Sequence, residues 1–148
     1  MSATFLVDLE NVAFKSYSIV PGTTISTDTT TSGTAVDCLT VEGPVTGVFC
    51  TGNAGDGSTL ITFKLQECDT SGGSYTDISD GADAALAAST TANDNLVTFI
   101  TARKRTKRYV KCVVVTSGGG TPAVPATAFV LARKKIVGSN TGTYTTIG

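Results

Sequence analysis

The chain of 148 residues contains no histidine, no tryptophan and a single methionine. Without histidine, neither a Ser-His-Asp triad nor a Cys-His pair can form. Structural zinc sites use cysteine and histidine at short spacings, and the four cysteines include no C-x-x-C pair; they are Cys38, Cys50, Cys68 and Cys112. The sequence therefore predicts a protein that is not an enzyme and that binds no metal ion and no cofactor.

Long apolar segments and a basic leader are also missing. The first ten residues, MSATFLVDLE, lack a basic region, and the longest apolar runs are AALAA at 84–88 and AFVLA at 128–132. A membrane helix needs roughly 20 apolar residues, and a secretory leader begins with basic residues. We therefore expect a soluble chain that is made in the cytoplasm and has no membrane partner.

Threonine and valine are abundant, with 27 and 15 residues that together exceed a quarter of the chain. Both are β-branched and favour strands over helices. A chain of this length fits one domain. Turn residues separate the predicted strands, which lie within 17–30 and at 34–41, 45–51, 60–67, 74–79, 96–102, 109–116 and 127–136. The one alanine-rich segment, 82–89, allows one or two helical turns at most.

About eight strands with almost no helix predict an all-β fold, a single antiparallel β-sandwich of the jelly-roll kind. Its core would span about 16–136, with 1–15 and 137–148 as possible polar arms. The C-terminal arm has Tyr144 and Ile147 as its only sizeable apolar residues. Since chain ends either fray or dock on a neighbour, we expect at least one arm to contact a neighbouring subunit.

The clearest amphipathic strand is LITFKLQE at 60–67, in which every second residue is apolar. The segment YVKCVVVT at 109–116 repeats this alternation, with Cys112 at an apolar position. Cysteine in a reducing compartment is mostly a small buried hydrophobic residue. The sequence also allows a disulfide between two of the four cysteines as an alternative. We predict that one core contains the alternating set Ile61, Phe63, Leu65, Val110, Cys112 and Val114.

Charge is divided between two parts of the chain. Residues 1–94 contain all twelve acidic residues and carry −10, whereas 95–148 contains nine basic residues, no acidic one, and carries +9. The densest cluster predicts a basic hairpin tip formed by Arg103, Lys104, Arg105, Lys107 and Arg108. It is either a solvated turn that discourages edge-to-edge aggregation or a surface that docks on acidic protein, including another copy of the chain.

Two other partners are not favoured by the sequence. Nucleic acid would require aromatic residues interleaved with the basic ones, and only one tyrosine adjoins the cluster. Three aspartates, Asp77, Asp80 and Asp83, lie together in DISDGAD. They lack the closing glutamate of a calcium loop, and a catalytic carboxylate pair is less consistent with this spacing than a polar loop between strands.

Three segments carry a resemblance to a known family: FKLQECDTSGGSYTDISD, then RYVKCVVVTSGG, then the last apolar strand TAFVLARKK. They are similar to small structural proteins of tailed bacteriophages, in particular the jelly-roll cement (decoration) proteins on the outside of capsids. The resemblance covers about 60–136 and is one of strand texture, without a motif that assigns binding residues.

The resemblance implies a non-enzymatic virion protein on the outer capsid surface. Such a protein stabilises the capsid by bridging subunits of the major capsid protein, often as a homo-oligomer, either a dimer or a trimer. Two alternatives stay open: a head-tail connector or tail-tube subunit, and a carbohydrate-binding adhesive module. The absence of tryptophan disfavours sugar binding, because sugar-binding faces usually present Trp or Tyr platforms.

Overall fold

The computed structural model describes residues 12–26, 28–53, 56–79, 87–92, 96–118 and 123–134. Within these ranges the regular elements are strands: β1 (Val12–Ile25), β2 (Thr30–Ser32), β3 (Val36–Asp37), β4 (Val41–Thr51), β5 (Asp56–Cys68), β6 (Thr76–Asp77), β7 (Ala87–Ala92), β8 (Leu96–Ala102), β9 (Tyr109–Ser117) and β10 (Val124–Lys134).

The strands form two antiparallel sheets. Sheet one has the order β1-β10-β4-β8, and sheet two has the order β2-β9-β5-β6, with β3 also pairing with β9 and β7 with β5. The short strands β2 and β3 pair with successive parts of β9, and β6 and β7 pair with successive parts of β5. The strands β2 and β3 together therefore occupy one strand position, and β6 and β7 together occupy another. The ten strands thus fill eight positions.

Numbered along the chain, these eight positions follow the order 1-8-3-6 in sheet one and 2-7-4-5 in sheet two. The first and last strands are thus neighbours, and most connections cross from one sheet to the other. This is the double-sheet jelly-roll arrangement. The prediction of an antiparallel jelly-roll sandwich with about eight strands is confirmed.

The core lies between the two sheets and has the predicted membership. All six residues of the alternating set are at most 1% exposed, so the register predicted for β5 and β9 is correct. Sheet one contributes facing residues such as Phe49 and Val130. The rings of Phe49 and Phe63 meet across the core with centroids 5.1 Å apart.

One edge of the sandwich is closed by a buried serine. The Ser18 hydroxyl of β1 accepts a hydrogen bond from the Cys112 amide of β9 at 2.9 Å and donates one to the Thr34 carbonyl at 2.9 Å. A Cβ atom at Gly33 would clash with this hydroxyl oxygen. Glycine at that position therefore lets the chain between the two sheets approach β1 closely.

Several predicted boundaries were wrong. The expected strand at 34–41 is reduced to the two residues of β3, and β4 begins at Val41, not at 45. Gly43, with φ of 70°, lies within β4 near a register shift in its pairing with β10. Gly43, a residue type that favours turns, is therefore an irregularity inside a long strand.

Two further expectations concern the possible helix and the N-terminal arm. From Ala87 onwards the alanine-rich segment is strand β7, paired with β5, so pairing with a neighbour overrides helix propensity there. Residues 82–86 lie outside the described ranges. The strand β1 starts at Val12, inside the segment that was expected to be an arm.

Candidate functional site

The predicted basic cluster forms the connection between β8 and β9, residues 103–108, here called the basic loop. Because β8 belongs to sheet one and β9 to sheet two, the loop passes over one end of the sandwich. The prediction of a hairpin tip was therefore wrong in geometry: the two flanking strands do not pair with each other. The basic residues instead cover the end of the core.

Glu67, at the end of β5, holds the basic loop in place. Glu67 is only 7% exposed. Its carboxylate accepts hydrogen bonds from the Thr106 amide at 2.9 Å, the Thr106 hydroxyl and the Lys107 amide at 3.1 Å. Charge-assisted hydrogen bonds of this kind are roughly twice as strong as neutral ones. The sequence analysis missed this residue, although Glu67 continues the inward-facing alternation of β5.

Arg105 also stabilises the loop from within. Its Nη1 atom donates to the Lys107 carbonyl at 2.8 Å and to the Arg108 carbonyl at 3.3 Å, and its Nη2 atom donates to the Val41 carbonyl at 3.3 Å. Arg105 is half-buried. Its guanidinium therefore connects the C-terminal end of the loop to the start of β4, so Arg105 is a structural member of the cluster.

Arg108 is fixed on the surface of the loop. Its Nε and Nη2 atoms donate to the two carboxylate oxygens of Asp37 at 3.0 and 2.6 Å, and its guanidinium carbon lies 4.9 Å from the centroid of the Tyr109 ring. The bidentate geometry and the ring together restrict the side chain. Part of the positive charge of the loop is thereby compensated within the chain.

Arg103 and Lys104 are exposed, as is the ion-paired Arg108. Sheet pairing brings Arg133 to the same end, because Ala102 and Ala132 both pair with Val45 from opposite sides. Arg133 lies 3.9 Å from Glu42. We call this surface the cationic end; its described basic side chains are Arg103, Lys104, Arg105, Lys107, Arg108 and Arg133.

A pocket of about 210 Å3 opens at the cationic end, between the loop at Cys38 and Leu39 and the basic loop. Arg105, which lines this pocket, has a buried Nε atom for which the described residues provide no acceptor. Lys107 and Arg108 also line it. The lining of this pocket therefore includes three basic residues.

Asp77 is the member of the aspartate cluster that the structure describes, and its contacts are with side chains of β5. Asp77 accepts hydrogen bonds from Lys64 at 3.1 Å and from Gln66 at 2.7 Å. Burial opposes ionisation of Asp77, but these hydrogen bonds and the Lys64 charge outweigh it, so the pKa of Asp77 is lowered. Asp80 and Asp83 lie outside the described residues. In the described part of the chain no three His, Cys, Asp or Glu side chains are grouped to hold a metal ion.

The predicted site residues Tyr144 and Ile147 also lie outside the described ranges, so the suggestion that they contact a subunit stays a prediction. The five basic residues predicted from the sequence are described, and they are brought together in one loop.

All four cysteines are free thiols, so the possibility of a disulfide between them is not realised. Cys38, Cys68 and Cys112 are buried, whereas Cys50 is half-buried on the outer face of β4. Burial raises the pKa of the Cys112 thiol to about 12. A thiolate is required for reaction with common thiol reagents, so burial makes Cys112 inert.

We expect a thiol reagent to modify one cysteine per folded chain rapidly, at Cys50, and all four after denaturation. The reason is that Cys50 alone among the four is partly accessible. Absorbance with a chromogenic disulfide, followed by peptide mapping, measures both numbers. Rapid modification of Cys112 in the folded protein would contradict its burial between the sheets.

Comparison of the chain with protein-family models gives no match, and a search of curated proteins finds no significant similarity. Among the described residues, no helix is long and apolar enough to span a membrane.

Proposed function

We propose that this chain is a structural protein of a bacteriophage virion, without enzymatic activity, that binds the outer surface of the capsid. There it stabilises the shell by bridging subunits of the major capsid protein. Support comes from the resemblance of 60–136 to cement proteins and from the jelly-roll topology. The observation that carries the proposal is the cationic end, which is held rigid by internal contacts while part of it faces outward.

Rigidity matters because a docking surface that is already ordered loses little conformational entropy on binding. Glu67 and Arg105 hold the backbone of the basic loop, so Arg103 and Lys104 project from a fixed base. A loop that is only a solvated turn does not need this order for binding, whereas a docking surface benefits from it. An acidic surface on capsid subunits is the partner that fits the charge.

Each exposed ion pair contributes only about 0–1 kcal/mol. A protein that contacts several subunits of a lattice increases its occupancy through effective concentration, so weak contacts repeated over a capsid are sufficient. This is the physical reason for proposing a bridging role for the cationic end. It also predicts that binding weakens as salt screens the charges.

Replacement of Arg103 and Lys104 together by serine is expected to weaken binding to purified capsids about fivefold, since two contacts of about 0.5 kcal/mol each would be lost. The salt dependence of occupancy should become shallower than in the parent. Occupancy is measured by quantitative gel analysis of sedimented particles at low and high salt.

The matched control replaces Lys64 and Lys111 by serine. It removes the same charge from the outer face of sheet two, where Lys64 pairs with Asp77 and Lys111 lies over the Tyr75 ring. Equal loss of binding in both variants would show that net charge, not the cationic end, is responsible.

Electron microscopy of labelled particles distinguishes a capsid location from the neck or tail, where labelling would support a connector or tail-tube subunit instead.

A further inference from the structure

The outer face of sheet one carries a row of large apolar side chains. The strand register places Tyr17, Phe129, Val48 and Phe99 side by side across all four strands. Tyr17 and Phe99 are 44% and 64% exposed, while the two residues between them are more buried. The Tyr17 and Phe129 rings meet edge to face, with centroids 6.1 Å apart.

Two flanking rows extend this apolar face without adding charge. On one side Val97, which is 55% exposed, lies beside Cys50 and Thr127. On the other side the row is Leu131, Thr46 and Thr101, with the two threonine hydroxyls hydrogen-bonded at 2.9 Å. None of the ten described side chains in these three rows is charged. We call this surface the apolar face.

Sheet two has a different outer face. Its strands present Lys64, Asp77 and Lys111, and the first two form an ion pair. An antiparallel sheet with one face in water normally alternates apolar residues inward with polar residues outward. Sheet two presents these charged residues beside the exposed Leu60, whereas sheet one exposes Phe99 and Val97 on its edge strand β8 and Tyr17 on its edge strand β1. The described rows of sheet one thus lack the charged side chains that sheet two presents.

We propose that the apolar face is the contact between two copies of this chain, which pack sheet one against sheet one. A two-fold contact brings each residue close to its own counterpart, so any charge on the face would approach a like charge. The apolar face avoids this cost because its described rows are uncharged. Sheets of two copies can stack about 10 Å apart, as sheets do inside a sandwich.

The size of the face sets the strength of the contact. Four strands about 4.8 Å apart and three rows about 6.8 Å apart outline roughly 400 Å2 per copy. Stable complexes bury about 800 Å2 of accessible surface per partner. A shallow groove lined by Pro21, Pro125 and Cys50 adjoins the Val97 row and enlarges the area available. Free chains therefore form a weak dimer, with exposed Phe99 as its main anchor.

This inference rests on the fold and not on the proposed capsid function, although it would extend that function. The cationic end lies at the strand ends and the apolar face on the broad side of the sandwich. A dimer formed through the apolar faces therefore carries two cationic ends, and these could engage two acidic surfaces at once. Bridging would then follow from dimerisation.

Sedimentation velocity of the purified chain over a concentration series tests the inference without any capsid present. We expect a monomer–dimer equilibrium in the parent and a shift of at least about tenfold in the dissociation constant for Phe99→Asp. The matched control is Leu60→Asp, because Leu60 is 45% exposed but lies on β5 of sheet two; it should leave the equilibrium unchanged.

Circular dichroism and thermal melting establish that each variant is folded. If Phe99→Asp does not fold, Phe99→Thr replaces it, since threonine retains strand propensity. Modification of Cys50 by a thiol reagent should slow as the parent concentration rises. A parent that stays monomeric at about 1 mM, a trimer, or equal association of parent and Phe99 variant would overturn the inference. None of these results bears on whether the cationic end binds capsids.

Discussion

Glu67→Ala is expected to lower the free energy of unfolding by about 3 kcal/mol, although it removes a charged residue from the end of a strand. The substitution leaves the part-buried amides of Thr106 and Lys107 without their acceptor. Unsatisfied buried polar groups cost about 1–3 kcal/mol each, and partial hydration of the loop limits the total. Urea unfolding followed by circular dichroism measures the change.

Asp77→Ala is the matched control for this prediction. Asp77 is also an acidic residue with two side-chain partners next to β5, but its contacts are exposed. Its loss should cost no more than about 1 kcal/mol. Amide hydrogen exchange adds a local test: exchange at 106 and 107 should accelerate in Glu67→Ala and stay unchanged in Asp77→Ala. Similar destabilisation by both substitutions would mean that Glu67 does not organise the basic loop.

The alternation of apolar and polar residues was sufficient to predict the central strands of sheet two. In β5 and β9 it identifies which side chains enter the core, because successive side chains point to opposite faces. In β8 both sets contain apolar residues, with Leu96 and Ile100 facing inward and Val97 and Phe99 outward. The pattern could therefore not predict that an apolar face lies on the outside of sheet one.

Two further features could not be predicted from the sequence, because they depend on pairing between strands that are distant along the chain. The basic loop and Arg133 are about thirty residues apart in sequence, and they meet because β8 and β10 both pair with β4. The role of β1 was obscured in the same way: register shifts interrupt its pairing with β10, so its apolar residues follow no fixed period. Such features depend on the register between distant strands, and local composition does not determine it.

Phe63→Ala is expected to cause the largest loss of stability considered for this chain, about 3–5 kcal/mol, because it leaves a cavity in the core. Phe63 is 1% exposed and packs against Phe49 from the opposite sheet. The cavity would open at the contact between the two sheets. Since small domains have a total stability of about 5–15 kcal/mol, the variant should unfold at a much lower urea concentration.

Phe99→Ala is the control, since it removes the same ring from the outer face of sheet one. Phe99 is 64% exposed, so in dilute solution its loss should change the free energy of unfolding by no more than about 0.5 kcal/mol. Measured at low and high protein concentration, the two variants separate packing inside one chain from contact between chains. The effect of Phe63→Ala should be large at both concentrations, whereas that of Phe99→Ala should grow as dimers form in the parent. A concentration-independent loss of several kcal/mol in Phe99→Ala would mean that its ring is packed within its own chain.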